Sequence, residues 1–442
     1  MVSCLKMSKS HTFLKIYIPV FPRCMSVLLP YCRFLGIIVV MLFSISGCSE
    51  EPSSTVSVLK WYTFDEPSGA FVEAANTCSR ESGGQYSIDM VPLPADADQQ
   101  REQLVRRLAA GDSDIDLIGM DVIWTAEFAA AGWILPWPED LADTVIQGRL
   151  SSAVASATYE GRLHTAPFTT NTQLLWYRTD RVKIPPETWE EMIELAESLG
   201  EIGAIQTQGE RYEGLTVFFN SLLASAGGSI LNDREDQVEL GENPTRQALQ
   251  VMQRLALSPS APSSLATSRE DQSRLAFEAG ESTFMVNYTF VWPSARQNAP
   301  NIAEHMGWAS WPAVSPEHPS RVTIGGLNLG IAASSLHSEL AFAAASCLVS
   351  EKNQRLAAQI GGLPPTIVAL YQDSEVRETF PFADTLLESL KNGVLRPQTP
   401  LYNDISLAIS HTLHPMRSID PEQDVSRLRE KIRRALHSEG LL

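Results

Sequence analysis

The chain has 442 residues, with 34 Lys and Arg against 52 Asp and Glu and a formal net charge of −18; this length holds about two or three domain-sized units. At 44% hydrophobic and 19% charged residues it can bury a large core, which excludes general disorder. Residues 1–48 contain Lys6, Lys9, Lys15, Arg23 and Arg33 but no acidic residue, so the remainder carries 29 cations against 52 carboxylates, a charge of −23. A body that acidic, without a Lys/Arg block, argues against a nucleic-acid partner and is repelled by anionic lipid. It points to a neutral or cationic partner.

In chain order, the basic start leads into the apolar run 34–43 and then Ser44-Ile45-Ser46-Gly47-Cys48. A charged region, an apolar core and a small-residue exit make a secretory signal, and about ten apolar residues fall short of the ~20 of a membrane span. Ile45-Ser46-Gly47-Cys48 resembles the lipobox of bacterial lipoproteins, whose cysteine is lipidated and becomes the first mature residue; an ordinary secreted or single-span protein with an incidental cysteine is the alternative. The stretch before Met25 is too long for a usual signal, so Met25 is the expected start. Residues 49–55 read as a polar tether. Of the six cysteines, Cys48, Cys78 and Cys347 remain in the mature chain expected after the signal, and the last two are either a disulfide or two buried thiols. No CxxC or HExxH spacing occurs, so neither metal nor cofactor is expected.

The spacing then predicts strands at 56–62, 86–91 and 115–118, alternating with helices at 68–81, 99–110 and 122–131. This β-α-β-α-β-α order makes a mostly parallel sheet covered on both faces. Further strands are predicted at 173–177, 203–206, 283–286 and 327–332, and helices at 189–199, 213–226, from 244, from 270 and at 338–350. Residues 311–326 read as a Pro/Ser/Gly-rich connection, and the chain beyond 365 as almost wholly helical.

No GxSxG, P-loop or strand-following GxGxxG is present, and the acidic pairs Asp114/Asp116 and Glu190/Glu191 read as solvated residues, so an enzyme is the weaker class. What stands out is aromatic and amide residues at strand ends: Trp61-Tyr62-Thr63, Asp121 with Trp124, Asn171, and Asn287-Tyr288. Ligands of open α/β sheets bind at carboxyl ends of strands. Aromatic faces cover the C–H side of a sugar ring, while Asp, Asn and Arg hydrogen-bond its hydroxyls. Each aromatic taken singly is as readily core.

The run Asp116-Leu117-Ile118-Gly119-Met120-Asp121-Val122-Ile123-Trp124-Thr125-Ala126-Glu127-Phe128, with 277–287, 325–329, 361–364 and 396–402, resembles the extracellular sugar-binding lipoproteins of bacterial ABC importers, solute-binding protein family 1. The likeness covers the mature chain in order. It is strongest to the trehalose-binding lipoproteins of mycobacteria, through 122–129, Thr169-Thr170-Asn171-Thr172-Gln173-Leu174-Leu175-Trp176-Tyr177-Arg178 and 322–329. The resemblance implies a two-lobed α/β periplasmic-binding-protein-like fold with three hinge crossings near 162–168, 320–326 and 364–370. One lobe would hold 56–164 and 323–366, the other 165–322 and 367–442. It further implies that Asp121 and Asn171 hydrogen-bond one glucose from opposite lobes and that Asn287 and Tyr288 lie against the sugar. Gly326 and Leu327 would contact it from a hinge strand, Arg396 would clamp hydroxyls, and Gln100 would add a polar contact. Tyr288 stands where the family usually has Trp, and 290–308 is shorter than in the mycobacterial proteins. The three-crossing layout places Cys78 and Cys347 in one lobe, where they are expected to pair.

The resulting expectation is a monomeric, lipid-anchored binding protein without enzymatic activity. It would capture a neutral disaccharide, trehalose first and maltose or a related glucoside next, on the outer face of the cell membrane and deliver it to ABC permease subunits. A binder of polyamines, peptides or glycerophosphodiesters and a secreted glycoside-active enzyme are the alternatives.

Overall fold

The computed structural model describes residues 56–94 and 96–439; the expectations for the signal, Met25, Cys48 and the tether 49–55 lie outside the described residues. The strands in chain order are β1 (Ser57–Phe64), β2 (Tyr86–Leu93), β3 (Leu117–Asp121), β4 (Thr158–Tyr159), β5 (Arg162–Leu163), β6 (Thr165–Asn171), β7 (Leu174–Arg178), β8 (Ile205–Gln206), β9 (Phe284–Asn287), β10 (Met306–Ala309) and β11 (Gly325–Ile331). They form one sheet of order β2-β1-β3-β11-β6, a second of order β10-β7-β9-β8, and the small hairpin β4-β5. In the first sheet β1 runs parallel to β2 and β3, and β11 runs antiparallel between β3 and β6.

The first sheet is covered on both faces because its strands are apolar on both faces. On β1, Leu59 and Trp61 point into a core with Phe71, Phe168 and Leu329. Tyr62 points the other way, among Leu104, Ile118, Met120 and Phe128. Helix α1 (Ala70–Glu81) starts where the Glu66 carboxylate accepts the Ser68 and Ala70 amide protons, at 2.9 and 3.0 Å. Its apolar stripe, Ala70, Phe71, Ala74, Ala75 and Cys78, is buried. Cys78 is disulfide-bonded to Cys347 of the helix Ser338–Leu348, with Cα atoms 5.8 Å apart, so the pairing expected from the layout is present.

Two expectations need correction. The first lobe was expected to end at 164, but β6 is an edge strand of the first sheet, with Asn171 opposite Gly325 and Ala166 opposite Leu329. The chain therefore passes to the second sheet between Asn171 and Leu174. Residues 165–170 are buried throughout because β11 inserts between β3 and β6 and shields them. The second correction concerns 311–326, which is more than a connector. Trp311 is buried edge-on against Trp189, and Thr323 is held by Asn220, Ser221 and the Val217 carbonyl before the chain re-enters the first sheet at Gly325. Near the third expected crossing, Thr366 is bonded to Gln354 and Arg149, while Tyr371 packs in the core around Trp176 of the second sheet.

Candidate ligand-binding cleft

Between the two sheets lies a cleft of about 480 Å³, lined from the first sheet's side by Phe64, Asp96, Gln100, Asp121, Trp124 and Asn171. From the second side come Tyr212, Glu213, Arg269, Glu270, Tyr288 and Arg396, and the strand start Gly325-Gly326-Leu327 closes the floor. Of the expected site residues, Asp121, Asn171, Tyr288, Gly326, Leu327, Arg396 and Gln100 meet here, but Asp121 and Asn171 stand on the same side, at the ends of β3 and β6 of the first sheet, and not on opposite lobes as expected.

Each is placed by the end of an element. Asp121 closes β3, and one of its oxygens accepts the Ile123 amide proton at 3.1 Å, which pins the carboxylate at the sheet's carboxyl edge. Asn171 ends β6 opposite Gly325; a Cβ on Gly325 would sit 2.5 Å from Asn171 Oδ1, so glycine there leaves room for the Asn171 side chain. Gly326 has φ +144°, a region that disfavours side chains, and an added Cβ would meet the Thr169 carbonyl oxygen at 2.3 Å.

Asn287 is the exception. Its side chain is wholly buried: Nδ2 donates to the Glu270 carbonyl at 2.9 Å, and Oδ1 accepts from the Tyr288 amide at 2.9 Å. It does not line the cleft. Both ends of its amide serve the backbone, which fixes the start of the helix Glu270–Glu278 and the exit of β9 that carries Tyr288. Among the strand-end aromatics, Trp61 and Tyr62 are core, while Phe64 and Trp124 reach the cleft.

Arg396 is not free to offer its whole fork. It is 3% exposed, donates to Glu213 Oε1 at 2.8 Å and Asp121 Oδ1 at 3.0 Å, and so ties the second side of the cleft to the first. Glu213 also accepts from the Tyr402 hydroxyl at 2.5 Å and from Ser406. Burial pushes the Glu213 carboxyl up, and Arg396 and these donors oppose the shift. Burial alone would lower the Arg396 pKa, but Asp121, Tyr402 and Glu213 outweigh it and hold the cation. Burial likewise raises the Glu270 carboxyl, against the hydrogen bond from Tyr212 at 2.7 Å, and raises the Tyr288 phenol. Two buried polar atoms of this set have no hydrogen-bond partner: Arg396 Nε, a donor, and Asn171 Oδ1, an acceptor.

Sequence reasoning missed Asp96, Tyr212, Glu213, Arg269 and Glu270. Glu213 carried a signal: it is the one charged residue on the helix Glu213–Ser225, which is buried over almost its whole length. The others stand at helix starts far apart in the chain and meet only through packing. Among the described residues no group of side chains fits a metal ion, and no helix is long and apolar enough to cross a membrane.

A two-lobed α/β fold with a polar, aromatic-lined cleft between the sheets defines a binding protein, and comparison with known proteins gives its family. Residues 88–355 match the family of bacterial extracellular solute-binding proteins, and the chain belongs to it. It is similar to a protein of Deinococcus radiodurans named "Probable ABC transporter-binding protein", 28% identical over 359 residues that cover 77% of this chain and 84% of the relative. Among solved structures it is similar to the maltose-bound MalE3 of T. maritima, at TM-score 0.79 and 27% identity, covering 85% of this chain and 99% of the other. The GacH receptor of Streptomyces glaucescens, solved unliganded and with acarbose, shares the fold at TM-score 0.77 and 19% identity, over 86% and 99% of the two chains. The chain is therefore a solute-binding protein of the ABC-importer type and not an enzyme.

Proposed function

We propose that this protein captures a neutral disaccharide in the interlobe cleft, trehalose in preference to maltose, and hands it to the permease of an ABC importer while tethered to the outer membrane face by lipid on Cys48. The observation that carries the reading is the pair of orphaned polar atoms, Arg396 Nε and Asn171 Oδ1. Hydroxyl groups both donate and accept, so a polyhydroxy ligand can satisfy the two together, and a ligand lacking such a hydroxyl leaves a desolvated group unpaired. Tyr288, Trp124 and Phe64 supply apolar faces, and Asp121, Gln100 and the Gly326-Leu327 backbone supply further contacts. The maltose held by the T. maritima relative supports a disaccharide, and the likeness to the mycobacterial trehalose-binding lipoproteins supports trehalose.

A polyamine is disfavoured although carboxylates do converge here. Arg396 lies between Asp121 and Glu213, and Arg269 between Asp96 and Glu210, so two fixed guanidinium groups already engage the carboxylates that a polyamine would need. A thermal-shift panel of trehalose, maltose, spermidine and a mixed peptide, followed by calorimetric titration, tests the reading. The expected result is a raised melting temperature and saturable heat with the disaccharides, larger with trehalose. A shift with spermidine and none with either sugar overturns it.

A further inference from the structure

We propose that Arg269, Glu210 and Asp96 form an ionic latch that holds the two lobes together across the cleft, making capture of an uncharged ligand depend on ionic strength. This rests on the disaccharide reading only in its choice of probe.

Arg269 immediately precedes the helix Glu270–Glu278 on the second side of the cleft. Its guanidinium is fixed there from three directions. Glu210 takes a two-point hydrogen bond, at 2.8 and 2.7 Å, and the Tyr212 ring lies beneath, with the guanidinium carbon 4.5 Å from its centroid. The remaining NH group pairs with Asp96 Oδ2, on the first side of the cleft. The hydrogen bonds that Arg269 donates to Glu210, and then to Asp96, outweigh the opposing effect of burial and hold it protonated. An arm anchored on one lobe loses little further side-chain freedom when it reaches the other.

The partner is placed with equal care. Asp96 caps α2 (Ala97–Ala109), its other oxygen accepting the Gln99 amide proton at 3.0 Å. One turn into α2 stands Gln100, which lines the cleft. Closing the latch therefore sets the end of α2 that presents Gln100. The Arg396–Asp121 bridge also crosses the cleft, with Arg396 3% and Asp121 25% exposed, whereas in the latch Arg269 is 33% and Asp96 18% exposed, so the two bridges differ chiefly at the guanidinium. Salt screens a guanidinium open to solvent more than one sealed from it, so the latch is the more salt-sensitive of the two bridges.

The test uses Asp96→Asn, which keeps a capping oxygen for Gln99, and Arg269→Gln, each titrated with trehalose and maltose at about 20 and 500 mM NaCl. At low salt each variant should bind roughly two- to fivefold more weakly than wild type, through faster dissociation, and the double variant no more weakly than either single one. At high salt wild type should fall to the variants' level. Wild-type affinity in either variant overturns the latch, as does a variant deficit that persists unchanged at high salt. So does weakening by Arg269→Gln alone, which would put Arg269 on the ligand itself. Small-angle scattering of the sugar-free protein is the independent arm. The radius of gyration should increase at high salt and in Asp96→Asn, and an unchanged radius overturns the latch. If wild type binds neither sugar, the disaccharide reading fails while the scattering arm still decides the latch.

Discussion

Asp121 and Arg396 act as a coupled pair, because each is the other's counter-charge as well as a proposed ligand contact. Asp121→Ala should weaken disaccharide binding roughly 10- to 150-fold, the worth of a hydrogen bond to a charged group at about 1.5–3 kcal/mol. Arg396→Ala should cost affinity and also about 3–5 kcal/mol of stability, since it strands Glu213 as a buried carboxylate. The double variant should lose less than the sum of the two in a calorimetric cycle; strict additivity would separate the residues. Away from the cleft, burial pushes the Glu235 carboxyl up to about 7, eased by the Gln398 backbone N–H, and one of its oxygens is buried without a partner. A raised carboxyl pKa adds stability that is complete below the unfolded value near 4.5 and is lost as pH rises through 7. Glu235→Gln should therefore raise the unfolding free energy at pH 8 by about 1 kcal/mol, discounted for partial exposure, and leave it unchanged at pH 4. Equal effects at both pH values would refute the assignment.

At the scale of elements, the disulfide staples α1 to the helix Ser338–Leu348 across 269 residues of sequence. A loop that long removes much denatured-state freedom, so Cys78→Ala/Cys347→Ala should lower stability by about 2–5 kcal/mol. The bridge lies outside the cleft lining, so sugar affinity should stay within about twofold; a tenfold loss would tie the staple to binding. The first three β-α units were legible because their apolar runs and helical stripes are local patterns. The membership of β6 was not: no strand is predicted over Thr165–Asn171, and only its pairing with β11, far later in the chain, makes it an edge strand of the first sheet. The short strand β10 was missed for a similar reason. Met306-Gly307-Trp308-Ala309 carries little strand signal and is held by its ladder to β7.

For the whole molecule, a cleft walled by both lobes implies that ligand contacts and lobe closure are coupled, and a ligand shifts closure only by its differential affinity for the two states. At about 100 times its dissociation constant, a disaccharide should add about 2.7 kcal/mol of stability by mass action. The proposed lipid anchor is separable from sugar binding. Cys48→Ala should release the protein into the medium with unchanged sugar affinity, and a variant that still partitions with membranes would place the anchor elsewhere.

By itself the sequence determined the α/β class, the acidic body, the two cysteines that pair, and the residues Asp121, Asn171, Tyr288 and Arg396 that share a cleft. The class and the charge follow from local periodicity and composition; the pairing and the shared cleft are what the family resemblance implies. Only the tertiary structure decided that Arg396 is already engaged by Asp121 and Glu213, that Asn287 serves the backbone behind the cleft, and that Asp96 meets Arg269. A side chain's type states what it can bond. Which partner it takes depends on distances between elements remote in sequence, and those distances are set by how the two sheets and their cores pack.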